Sequence, residues 1–329
     1  MPGRRLLAAS LAALLLPRAA RAAAAAAVRL GTVQYGTAQW VADVIRRHAL
    51  DTAHGIALQT TMLANNDAGR VALMAGAADI VVADWMFVAT QRAGGMKLCF
   101  APFSAALGGI MVPAASAIAT LADLRGKRLG VAGGPADKSW LLVQAAAQAS
   151  AGLDLAHDAI VAFAAPPLLG AKLQQGELDA VLTFWPFAAR LEAAGFREAI
   201  PVAACASLLD LPLPLSLVGY VFREEFAVAN RSGIDGFLRA AADAERLLAH
   251  DDAEWAALRP LLDAPDYALF AALRRRFVAG IAPHTGAALQ QDYAEKVLAV
   301  VLREGGVRAT AGLTSLPDGI FWDWTDGGR

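Results

Sequence analysis

The chain has 329 residues, 29 lysines and arginines against 30 aspartates and glutamates, and 57% hydrophobic residues. That length supports about two domains with full cores, and near-neutral charge without a basic block argues against a nucleic-acid binder. Two cysteines cannot build a disulfide scaffold or a four-cysteine zinc site.

The first 27 residues carry Arg4 and Arg5, an apolar run from Leu6 to Leu16, and a small-residue tract from Ala19 to Ala27 broken only by Arg21. The first acidic residue is Asp43. This order predicts a secretory signal peptide over 1–27, cleaved between Ala20 and Ala27. The apolar run is well short of the roughly 20 residues that a membrane span needs. A short buried helix and a retained anchor are the other readings. Loss of the segment leaves 25 basic against 30 acidic residues. In an oxidising compartment Cys99 and Cys205 could pair. Both lie in apolar, strand-like runs, which suits buried free thiols.

The next signal is internal repetition at about one hundred residues. Arg29-Leu30-Gly31 recurs as Arg128-Leu129-Gly130, and Trp40 as Trp140. Gly76-x-x-Asp79 recurs as Gly176-x-x-Asp179, and a tryptophan, Trp85 or Trp185, follows each aspartate by six residues. Strands are predicted at Val28–Val33, Ile56–Met62 and Asp79–Ala83, and again at Lys127–Val131, Ala159–Phe163 and Asp179–Thr183. Helices are predicted after each glycine-bearing loop (Gln34 to Thr37; Gly133 to Asp137) and at Ala68–Ala75 and Leu168–Gln175. Strand–helix–strand–helix–strand, twice, predicts two α/β lobes, each a mostly parallel sheet flanked by helices.

Two glycine-bearing segments, Phe103–Val112 and Leu215–Phe222, are expected to carry the chain across to the second lobe and back. The expected division is residues 28–107 plus 217–329 in lobe 1 and 108–216 in lobe 2. After Phe222, helical stripes (Phe237, Ala241, Ala244, Leu247, Leu248; Tyr267, Phe270, Leu273, Phe277; Tyr293, Val297, Val300, Val301) predict core-facing helices. The tail from Leu316 to Trp324 is expected to pack back on a lobe.

Ligands of such sheets bind outside the carboxyl ends of the strands, so the cleft between the lobes is the expected site. Its candidates are Gln34, Thr37, Gln39, Trp40, Asn66, Asp84 and Trp85 in the first unit. In the second they are Lys138, Ser139, Trp140, Phe184 and Trp185. A helix opening at Lys138-Ser139, capped by Asp137, offers free N–H groups, a cation and a hydroxyl to an anion. Capping with a solvated lysine is the alternative. Thr37 and Trp40 read equally as a cap and a core residue. Asp84 ends an apolar strand and needs a partner: a ligand cation, Arg92 or Lys138. The tryptophans and Phe184 offer flat apolar walls, or simply core.

Enzyme signatures are absent. None of the histidines has His-Glu-x-x-His spacing, and there is no Gly-x-Ser-x-Gly elbow or complete Gly-x-Gly-x-x-Gly fingerprint. No metal site is expected.

The signal segment, Val28-Arg29-Leu30-Gly31, Ala72–Ile80, the segment Leu121–Val131 with its Asp-Leu-Arg-Gly-Lys-Arg core, Ala165-Pro166 and Gly176–Ala180 together resemble periplasmic substrate-binding proteins of ABC importers. The resemblance is to the group that takes up nitrate, sulfonates, taurine and thiamine-pyrimidine precursors. It covers roughly residues 28–250. It implies a type II-like two-lobe fold that closes by a hinge on a small molecule and docks on a permease in the inner membrane. It also implies a periplasmic, monomeric, non-enzymatic protein without a cofactor. A sensory or scaffold module, or an enzyme of thiamine-pyrimidine type on the same fold, are the alternatives.

Overall fold

The computed structural model describes residues 25–33, 36–214, 216–283 and 285–324. Most of the expected signal segment, and Gln34, lie outside the described residues.

The first unit runs β1 (Ala26–Val33), α1 (Thr37–Arg47), α2 (Leu50–Ala53), β2 (Ile56–Leu63), α3 (Asn66–Met74), β3 (Ile80–Asp84), α4 (Trp85–Ala93) and β4 (Leu98–Ser104). The second runs β5 (Gly109–Pro113), β6 (Arg128–Ala132), α5 (Lys138–Ala151), α6 (Leu155–Asp158), β7 (Ile160–Ala164), α7 (Pro166–Gln174), β8 (Ala180–Thr183), α8 (Trp185–Ala193), β9 (Phe196–Pro201) and α9 (Val202–Leu208). There follow β10 (Val218–Arg223), α10 (Glu224–Ala229), α11 (Arg231–His250), α12 (Asp252–Leu262), α13 (Tyr267–Ala279) and α14 (Ala287–Ala309).

Two five-stranded sheets result, in the orders β2-β1-β3-β10-β4 and β7-β6-β8-β5-β9. β1 pairs parallel with β2 and β3, and β6 does so with β7 and β8. β10 lies antiparallel between β3 and β4, and β5 antiparallel between β8 and β9. Each sheet is therefore mixed, with four strands running one way and one reversed. The reversed strand is in both cases the one the chain enters after crossing between sheets.

The repeat has a physical basis. Asp79 takes the backbone N–H and Nε of Arg29 at 2.9 Å each and its Nη2 at 2.6 Å. Asp179 holds the same three donors of Arg128 at 2.8, 3.1 and 2.6 Å. The forked pair ties β1 to the residue that precedes β3 and, in the second unit, β6 to the residue that precedes β8. Gly76 and Gly176 lie just past the ends of α3 and α7 with φ of +73° and +74°. A side chain is strained there, so glycine ends each helix and turns the chain toward its aspartate.

The first crossing is more sharply bent than a single strand from Phe103 to Val112: β4 stops at Ser104 and β5 begins at Gly109. A Cβ on Gly108 would lie 1.7 Å from the Thr183 carbonyl oxygen. Only glycine lets the linker pass that close to β8.

Cys99 lies in β4 as expected, but Cys205 sits on α9 and not in a strand. Its apolar run faces one side of a short buried helix, a case that periodicity over so few residues cannot separate from a strand. Both thiols are free and buried, and burial pushes each up to about 12.

The C-terminal helices do not all stay with the first sheet. α14 packs on α5, and Val297, Val300 and Val301 join a core with Leu141 and Leu142. The chain then returns. Phe100 donates to the Ile320 carbonyl at 2.7 Å, and Trp322 donates to the Phe100 carbonyl at 2.8 Å. Within the α13 stripe, Tyr267 is 73% exposed, because it opens the helix beyond the packed face.

Candidate functional site

The carboxyl ends of both sheets face one cavity of about 360 Å³. The first sheet contributes Thr37 at the start of α1, Asn66 and Arg70 on α3, and Asp84 at the end of β3. The second contributes Asp137, Lys138 and Ser139 around the start of α5, and Phe184, Trp185 and Pro186 at the end of β8. The two crossings close the back with Phe103 to Gly108 and with Leu217 and Val218. A second cavity of about 190 Å³ shares Thr37, Asn66 and Trp185 and runs under β1 past Gly31 and Val33.

Seven of the residues expected from sequence line this cavity: Thr37, Asn66, Asp84, Lys138, Ser139, Phe184 and Trp185. Gln39 is on α1 and is not on the cavity wall. Trp40, Trp85 and Trp140 are placed in the core instead, each at most 3% exposed. The reason is helical direction: each indole lies on the buried face of its helix, that of Trp40 against Trp255 and Phe277 of α12 and α13 and that of Trp140 against Phe163 of β7. Trp185 differs from its repeat mate Trp85. It reaches from α8 to the first lobe, its ring 6.3 Å from that of Trp40 at an interplanar angle of 78°, while still forming cavity wall.

The charged centre is a carboxylate held from both lobes. Asp84 caps α4 by accepting from the Phe87 N–H at 3.0 Å. It accepts from Arg70 Nη2 at 3.1 Å on its own side and pairs with Lys138 Nζ at 3.2 Å across the cleft. Of the partners expected for Asp84, Lys138 is present, while Arg92 instead pairs with Glu224 at 3.0 Å. Burial alone would push the Asp84 carboxyl up. Lys138, the Phe87 N–H and Arg70 outweigh it and hold the group below the usual carboxylate range. Asp137 caps α5 by accepting from Trp140 N–H at 3.2 Å. Burial raises its carboxyl above the ordinary value, against the pull of that N–H and of Lys138.

Arg70 is the charged residue that sequence reasoning missed. It lies one turn after Asn66 on the same face of α3, so the i, i+4 relation to a predicted cleft residue was the available signal. Its guanidinium lies 4.8 Å over the Phe87 ring, and its buried Nε has no hydrogen-bond partner.

Among the described residues no group of three or more His, Cys, Asp or Glu side chains could hold a metal ion. No helix among them is long and apolar enough to cross a membrane.

The architecture is similar to the periplasmic aliphatic sulphonate binding protein SsuA from Escherichia coli, with 21% identity over 92% of this chain and 97% of that one and a TM-score of 0.66. It is similar also to the alkanesulfonate-binding protein SsuA from Xanthomonas axonopodis pv. citri bound to MOPS, at 19% identity, 91% and 99% coverage and a TM-score of 0.64. The periplasmic nitrate-binding protein NrtA from Synechocystis PCC 6803 shares the fold at 11% identity, 77% and 69% coverage and a TM-score of 0.54. These likenesses establish the two-lobe fold. No curated protein matches the sequence. The family described as NMT1/THI5 like matches residues 52–253, more than half of the chain, and the protein belongs to that family.

Proposed function

We propose that this is an exported solute-binding protein that captures a small organic ligand with an anionic group between its lobes and delivers it to an ABC permease. The observation that carries this reading is the cavity itself. It is walled by strand ends of both sheets, and its two cations, Arg70 and Lys138, come from opposite lobes. A ligand that touches both has a higher affinity for the closed arrangement and shifts the population toward it. The two SsuA proteins, named for sulfonates, support an anion of that kind. The family also contains enzymes, but the cavity charges here are all engaged in ion pairs or helix caps, which favours binding without turnover. The expected signal segment supports a periplasmic location.

Lys138 is the sharpest test. Losing a charge-assisted hydrogen bond costs about 1.5–3 kcal/mol, so Lys138→Ala is expected to weaken binding about 10- to 150-fold. Apo melting should also fall, because Asp84 then keeps only Arg70 as a counter-charge, so both affinities are measured well below the melting temperature of the variant. Sulfonates with and without an amino group, screened by thermal shift, provide the ligand, and calorimetry gives both affinities. The same ligand at saturation should reduce the radius of gyration in solution scattering. Unchanged affinity in Lys138→Ala together with an unchanged radius would refute the cleft as the site.

A further inference from the structure

The charges around the cavity balance in number: Arg70 and Lys138 face Asp84 and Asp137. Asp67 adds a third carboxylate at 3.4 Å from Arg70. Among the described residues no cation in the wall is left over for an incoming anion. Asp84 already stands where a ligand's acid group would be held, bridging Arg70 at 3.1 Å and Lys138 at 3.2 Å.

We propose that Asp84 is an internal competitor that sets specificity: it withholds Arg70 and Lys138 from plain anions and yields them to a zwitterion, a ligand with a cationic nitrogen beside its acid group. The proposal rests on the cleft reading above. A plain anion that takes over the two cations leaves Asp84 as a buried carboxylate without a counter-charge, which is strongly unfavourable. A ligand ammonium replaces that counter-charge in the same step, so the exchange leaves none of these charges unpaired. Asp137, a second carboxylate lining the cavity from the other lobe, adds to the field that favours a cation. Trp185 and Phe184 would cover the ligand's carbon chain.

Asp84→Asn is a clean probe, since asparagine keeps the cap on α4 while removing the charge. By calorimetry, inorganic sulfate should bind Asp84→Asn at least tenfold more tightly than wild type, and the gain should vanish in Asp84→Asn/Lys138→Ala. Wild type should prefer 3-aminopropane-1-sulfonate to propane-1-sulfonate by tenfold or more, and Asp84→Asn should lose that preference. Equal sulfate affinity in wild type and Asp84→Asn overturns the proposal. So does a wild type that holds propane-1-sulfonate as tightly as its amino counterpart. Failure of the cleft reading shows separately, in the Lys138→Ala single variant and the scattering measurement, neither of which involves changing Asp84.

Discussion

Trp40→Ala is expected to destabilise the protein by about 3–5 kcal/mol, the cost of emptying a large aromatic site in a packed core. Trp40 is 3% exposed and sits at the centre of an aromatic cluster. Its ring lies 6.0 Å from that of Trp255, 5.5 Å from Phe277 and 6.3 Å from Trp185. Trp255 and Phe277 belong to α12 and α13, and Trp185 belongs to the second lobe, so one side chain joins three parts of the molecule. Its Nε1 is buried without a hydrogen-bond partner, so the truncation breaks no hydrogen bond and the loss is one of packing. α13 is further tied to the second lobe by Arg276, which reaches Glu192 at 3.1 Å and Glu198 at 3.2 Å. Those ion pairs remain, and the variant should keep a cooperative transition at a lower denaturant midpoint. Urea unfolding with an unchanged m-value would show it. A midpoint within error of wild type would mean that the cluster is not the junction described.

The second large effect is a pH dependence centred on Glu245. This residue of α11 is 4% exposed, and no hydrogen bond or ion pair among the described residues reaches its carboxyl. It borders a cavity of about 230 Å³ with Arg246 and His250 on its own helix, and it acts electrostatically on Tyr220 of β10, whose buried hydroxyl is also unpartnered. Arg246 is committed to Asp243 at 2.6 Å. Burial pushes the Glu245 carboxyl up from its ordinary 4.5 to about 8. Between those values the folded state keeps a proton that the unfolded chain releases, so stability falls as pH rises through that window. At 1.36 kcal/mol per unit, the loss from pH 5 to pH 8 is about 3 kcal/mol. Glu245→Gln, which cannot ionise, should escape it. Wild type should therefore lose about that much stability relative to Glu245→Gln between the two pH values, by denaturant unfolding at each. A difference that does not vary with pH would place the Glu245 carboxyl in contact with water.

Local sequence determined the repeated units, because each landmark has a local physical reason. Gly76 and Gly176 are required where the chain adopts positive φ past a helix end, and the aspartate three residues on binds an arginine of the neighbouring parallel strand, Arg29 of β1 or Arg128 of β6. The Asp137 cap was legible for the same reason, since it holds an N–H three residues away in the chain, whereas the matching cap by Asp84 was not read from the sequence. Positions across the cleft were not. Whether an indole on an amphipathic helix faces its own sheet or the opposite lobe depends on how the sheets are set against each other, which no spacing records. That placement seats Trp40, Trp85 and Trp140 in the core and leaves Trp185 on the cavity wall. It also brings Arg70 and Lys138, far apart in sequence, to the same Asp84, and carries α14 over to α5. Neighbouring residues fix the elements and their ends through backbone geometry and short-range hydrogen bonds. The electrostatics of the cleft depend on distances between lobes, and only the tertiary fold sets those.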